Sequence, residues 1–93
     1  MSYFVVTYTY VQDSAALDRI RPQHRQYLGT LVGDSLVASG PFVDASEPGA
    51  MLLFEAATAD EVHEQLDADP FWEAELIAER TVTEWNPVLG SVG

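Results

Sequence analysis

The chain has 93 residues, with fifteen Asp and Glu against four Arg and no Lys, giving a formal net charge of −11. A surface of that sign repels polyanions, which argues against nucleic acid and anionic membranes as partners. The absence of cysteine excludes disulfides, thiolate nucleophiles and cysteine-held metal, and the 47% hydrophobic content is that of one globular domain.

The first predicted element spans Tyr3 to Tyr10, whose β-branched and aromatic residues favour a strand. Neither of its alternating faces is made for water, so both need cover. Asp13 and Ser14 supply helix-start chemistry, and Leu17, Ile20, His24, Leu28 and Leu31 then fall on one helical stripe. Pro22 interrupts that stretch, and the expectation is a short helical turn followed by a main helix from about Pro22 to near Gly33. A short strand over Ser35–Ser39 closes at Gly40-Pro41. A solvated hairpin loop, Phe42 to Pro48, leads into a strand from Gly49 to Ala56 that is apolar on both faces. Thr58 and Glu61 form a capping box opening a second helix, with Ala59, Val62 and Leu66 inward. Asp69-Pro70 interrupts it, a further turn follows, and Ile77 to Trp85 returns to strand-like alternation before Asn86-Pro87.

The order β-α-β-β-α-β predicts an α+β, ferredoxin-like fold with a four-stranded antiparallel sheet, as a single domain over residues 1–87 with a tail at 88–93. A chain of this size buries only roughly 60 to 65% of its unfolded surface. Two helices cover one face of such a sheet, so the other face is expected to pack against a second copy. No apolar stretch approaches the length of a membrane span and no leader pattern precedes the first strand; a cytoplasmic protein is the simplest expectation.

His24 is the main candidate for chemistry, because imidazole titrates nearest neutrality and this one lies on a buried stripe. A hydrogen-bonded core histidine satisfies the same pattern. Asp69 before Pro70 suits a helix N-cap followed by a first-turn proline, although a capping carboxylate also has an oxygen to spare for orienting an imidazole. Ser39-Gly40-Pro41 lies where a strand leaves the sheet, as a pocket wall or as a simple turn, and Phe42 and Phe71 are candidates for core or pocket lining. Three of the four cations, Arg19, Arg21 and Arg25, surround His24. They would draw in a small anion or else form ordinary ion pairs, for instance Arg21 or Arg25 with an acid on the second helix. His63 reads as a surface residue, and the two histidines lack metal-ligand spacing, so no metal site is expected.

Arg21-x-x-His24-x-x-Tyr27-Leu28, Gly33, Ser39-Gly40-Pro41-Phe42, Gly49-Ala50 and Asp69-Pro70-Phe71, in that order, resemble the YciI-like (YCII-related) family over Tyr3 to about Pro87. The resemblance implies a dimeric α/β-barrel of ferredoxin-like subunits, similar to muconolactone isomerase. It also implies a His–Asp active-site pair, carried here by His24 and Asp69, and one branch of the family is similar to dehydrochlorinases of hydroxylated aromatic compounds. The expected activity is proton transfer on a small cyclic or aromatic acid, of lyase or isomerase type, in a homodimer or a higher oligomer built from it. Arg21, Ser39, Gly40, Pro41, Phe42 and Phe71 would contact substrate, and no cofactor is needed. The competing expectation is a non-catalytic dimeric module for small-ligand binding or interaction, in which His24 and Asp69 only position structure.

Overall fold

A computed structural model describes residues 1–92. Its elements are β1 (Ser2–Tyr10), α1 (Ser14–Leu31), β2 (Leu36–Pro41), β3 (Gly49–Ala56), α2 (Ala59–Asp67), α3 (Pro70–Glu73) and β4 (Ile77–Trp85). The strands form one antiparallel sheet in the order β2-β3-β1-β4. This is the ferredoxin-like arrangement expected from the element order.

The two-sided character of β1 explains its central place. Phe4, Val6 and Tyr8 are buried on the helix side, while Tyr3, Val5, Thr7 and Thr9 are half-buried on the other. Phe4 stands opposite Phe54 and Val6 opposite Leu52 on β3. Leu17 and Leu28 of α1, Val62 and Leu66 of α2, and Phe71 of α3 close over them to make the core. Leu53, on the opposite side of β3, is also buried.

The expected break near Pro22 is absent: α1 is a single helix of 18 residues with Pro22 inside it. A proline there costs about 3 kcal/mol, through its missing N–H and its clash with the carbonyl four residues back. Asp18 and Pro22 are both exposed, so the carbonyl released at Asp18 is solvated rather than orphaned. Against that cost, the continuous helix buries Leu17 on one side of the proline and Leu28 on the other, each contributing about 1.5–3 kcal/mol. The helix begins as expected, with the Asp13 side chain accepting from Ala16 N–H at 3.1 Å, and ends at Leu31, with Val32 as C-cap and Gly33 following at a φ of 84°.

Thr58 caps α2 by accepting from Glu61 N–H at 3.2 Å, and Glu61 accepts in return from Ala57 N–H, one residue before the cap, at 3.2 Å. Arg80 ties β4 to the helices, donating to Asp67 at 2.7 Å and to the ring of His63 at 3.1 Å while lying 3.9 Å from the centre of the Trp72 ring. His63 is therefore half-buried and bonded, not the free surface residue its acidic neighbours indicated. Residues 86–92 form no regular element, and Gly93 of the expected tail lies outside the described residues. No helix among the described residues is long and apolar enough to cross a membrane.

Candidate functional site

Between α1, α3 and the β2–β3–β1 part of the sheet lies a half-open cavity of about 790 Å³, a size suited to a small organic molecule. The inward stripe of α1 delivers His24 to it, leaving the residue 9% exposed. Asp69 reaches the same place from the N-terminus of α3. The short α3 exists because Asp69 caps it, accepting from Phe71 N–H at 3.0 Å, and because Pro70 takes a first-turn position where no N–H is needed.

Asp69 has no exposed surface, and its carboxylate is met from three directions. His24 Nδ1 lies 2.8 Å from Oδ1 and 3.0 Å from Oδ2, the Tyr8 hydroxyl donates to Oδ2 at 3.1 Å, and the Phe71 amide donates to Oδ1. A carboxylate so placed accepts from Nδ1–H, which selects the tautomer with an unprotonated Nε2. The imidazole also stacks on Phe71, with centroids 4.0 Å apart and an interplanar angle of 14°. Hydrogen bond and stacking together fix both the tilt and the rotation of the ring, and the other nitrogen is left for whatever occupies the cavity.

Of the expected contact residues, Arg21, Ser39, Gly40, Pro41 and Phe71 all line the cavity with His24. Phe42 does not: it is 47% exposed at the start of the hairpin loop, beyond the last β2 residue, where its ring lies near Gly49. Gly40 pairs with Met51, and a Cβ there would point to the sheet face away from the helices, where it meets no protein atom within 4 Å. Arg21 forms an ion pair with Asp18, one turn back on its own helix and not on α2.

Two further groups belong here that the sequence reading passed over. Tyr8 supports Asp69 from below, and burial, followed by the Asp69 charge, pushes its phenol pKa far upward. Tyr10 lines the wall, and its pKa is pushed up to about 12 by burial and then by Asp69, against the lowering charges of Arg21 and Arg25. The available signal was a tyrosine hydroxyl on the strand face that otherwise carries Phe4 and Val6, since a buried tyrosine needs a partner for its O–H. Among the described residues no cluster of three or more His, Asp or Glu is arranged to hold a metal ion.

The YCII-related domain family profile matches residues 1–86. No curated protein matches the chain in sequence. Among solved structures, the chain is similar to 5-chloro-2-hydroxyhydroquinone dehydrochlorinase (TftG) from Burkholderia phenoliruptrix AC1100, in complex with 2,5-dihydroxybenzoquinone. That match has 27% identity and a TM-score of 0.79, and covers 90% of this chain and 93% of that one. An uncharacterized NIPSNAP domain protein from Burkholderia xenovorans shares the fold at 13% identity and TM-score 0.63, with complete coverage of both chains. SnoaB, a cofactor-independent oxygenase from Streptomyces nogalater, shares it at 12% identity and TM-score 0.56, over 96% of each chain.

Proposed function

The chain belongs to the YCII-related domain family, and we propose that it is a small enzyme, working as a homodimer, whose His24–Asp69 pair moves a proton on a cyclic or aromatic acid. The observation that carries this reading is the buried bond from His24 Nδ1 to Asp69, on a histidine that borders the cavity. In the proposed step Nε2 takes a proton from the substrate, and the resulting imidazolium is stabilised by the Asp69 carboxylate at its other nitrogen. The electron pair released enters the ring system. It then either expels a leaving group such as chloride, giving a lyase, or is reprotonated at another atom by His24, giving an isomerase. Neither course needs a cofactor for proton transfer. The likeness to TftG, whose name gives a chlorinated hydroxyhydroquinone and whose structure holds 2,5-dihydroxybenzoquinone, supports an oxygenated six-membered ring as the substrate.

The second reading, a ligand-binding module without catalysis, draws on Asp69 itself, since capping α3 accounts for the residue structurally. Turnover separates the two. Chlorinated hydroxyhydroquinones and lactones are screened for chloride release or isomerisation with wild type and His24→Ala. Loss of activity by about 100-fold or more in the variant is expected for a general acid–base. Equal turnover by a folded variant removes His24 from the mechanism, and no turnover of any compound leaves the binding module.

A further inference from the structure

The charged side chains on the cavity wall are both arginines, Arg21 and Arg25, and none of the fifteen acids lines it. In a chain with four cations and a net charge of −11, this places two of the four cations on the cavity wall, with the Asp69 carboxylate buried behind His24 and most of the acids elsewhere. The two arginines are not equivalent. Arg21 is already compensated by Asp18. Arg25, one turn further along α1, forms no ion pair among the described residues. Tyr10 lines the same wall, with its ring held edge-on against Phe71 at 5.3 Å and 71°. Its hydroxyl has no hydrogen-bond partner among the described residues; the Asp69 charge acts on it most, opposed by Arg21 and then Arg25. The rest of the wall is largely hydrocarbon, with Leu28, Leu36 and Leu52 among its members.

We propose that Arg25 and Tyr10 form an oxyanion anchor that holds a carboxylate or an ionised ring hydroxyl of the substrate, while the ring lies within reach of His24. The guanidinium, on an exposed residue at the cavity's rim, supplies charge and directional N–H donors, and the half-buried phenol adds one O–H donor beside the apolar wall. Arg21, with its charge taken up by Asp18, tunes the field without holding the ligand. The anchor selects acids over their neutral isosteres and sets which ring atom meets Nε2. It deepens the proton-transfer reading and rests on it for the placement of a ring in this cavity.

The test measures binding rather than turnover. Benzoate is compared with benzamide, and 4-nitrophenolate, above its own pKa, with 4-nitroanisole, by chemical-shift titration of wild type, Arg25→Gln, Arg21→Gln, Tyr10→Phe and His24→Ala. Wild type is expected to favour the anion by about tenfold or more in at least one pair, and that pair identifies the oxyanion. Arg25→Gln abolishes the preference and leaves neutral binding unchanged, Tyr10→Phe reduces it several-fold, and Arg21→Gln changes it by less than about threefold. His24→Ala keeps it. The anchor is overturned if the preference survives Arg25→Gln, if it vanishes in Arg21→Gln or His24→Ala instead, or if wild type binds no anion better than its isostere up to roughly millimolar concentration. A failed turnover screen would remove the proton-transfer reading and leave these binding results intact.

Discussion

Asp69 performs two jobs with two oxygens. Oδ1 caps α3 through the Phe71 amide and receives His24, and Oδ2 receives Tyr8 and shares His24. Half of this is legible in the sequence: the Asp-Pro pair announces the cap, and the helical stripe places His24 inward. The contribution of Tyr8 is not, because its partner lies 61 residues away and strand alternation alone gives it the look of a core aromatic. Tyr8 also carries a consequence for pH. The folded chain keeps this phenol protonated above its ordinary pKa of 10.0, chiefly through burial, whereas the unfolded chain releases the proton near 10.0. The stability it contributes is therefore fully present below about pH 10 and is lost as pH climbs from there toward the folded value. Tyr10 acts in the same sense up to about 12. Tyr8→Phe is expected to cost about 1–3 kcal/mol at neutral pH by withdrawing a donor from a buried carboxylate, and to flatten the alkaline loss. Urea denaturation of both proteins across pH 9 to 11.5 measures this; parallel alkaline slopes would contradict the assigned burial of the Tyr8 proton.

At the level of elements, the bounds of β3 and β4 agree with the sequence reading because glycine and proline punctuate them, at Pro48-Gly49 and Asn86-Pro87. α1 does not, since burial on both sides of Pro22 outweighs a local penalty that a sequence pattern alone cannot weigh against it. β2 illustrates a subtler failure. Its pairing shifts between Leu36 and Ala38, so Val37 is an extra residue and the alternation changes phase. Without the bulge, Ala38 and Gly40 would share the face of Leu36; with it, Ser39 stands opposite Leu52 and Pro41 opposite Ala50, both on the cavity side. A second irregularity, between Thr9 and Tyr10, lies at the cavity end of β1. Gly49, where β3 begins beside these residues, has a specific reason to be glycine. A Cβ there would stand 2.4 Å from the Tyr8 carbonyl oxygen, which is backbone of the central strand and has little freedom to retreat. Gly49→Ala is expected to destabilise the fold by about 1–3 kcal/mol through forced backbone movement, measured by thermal or urea denaturation. Gly40→Ala, whose Cβ meets open space, is the matched control; equal costs would show that strand entropy, not the close approach, sets the effect.

For the whole molecule, the charge balance and the sheet combine into an argument about assembly. The helices cover one face of the sheet and leave the other bearing Tyr3, Val5, Thr7 and Thr9 of β1, with Met51 of β3 at 37% exposure and Trp85 of β4 at 42%. Sequence patterning foretells this, since β1 and β3 are apolar on both faces, but pairing between chains leaves no mark on one chain's alternation. A second copy laid on that face would bury it, against the mutual repulsion of two chains of charge −11. The homodimer is consequently expected to sediment at roughly twice the chain mass of 10.2 kDa at micromolar concentration, and to tighten as salt screens the repulsion. Val5→Glu places a carboxylate in the middle of the face without touching the helix-side core, and is expected to yield a folded monomer. A wild-type monomer at that concentration, or a Val5→Glu dimer as tight as wild type, would show that this face is not where two copies meet.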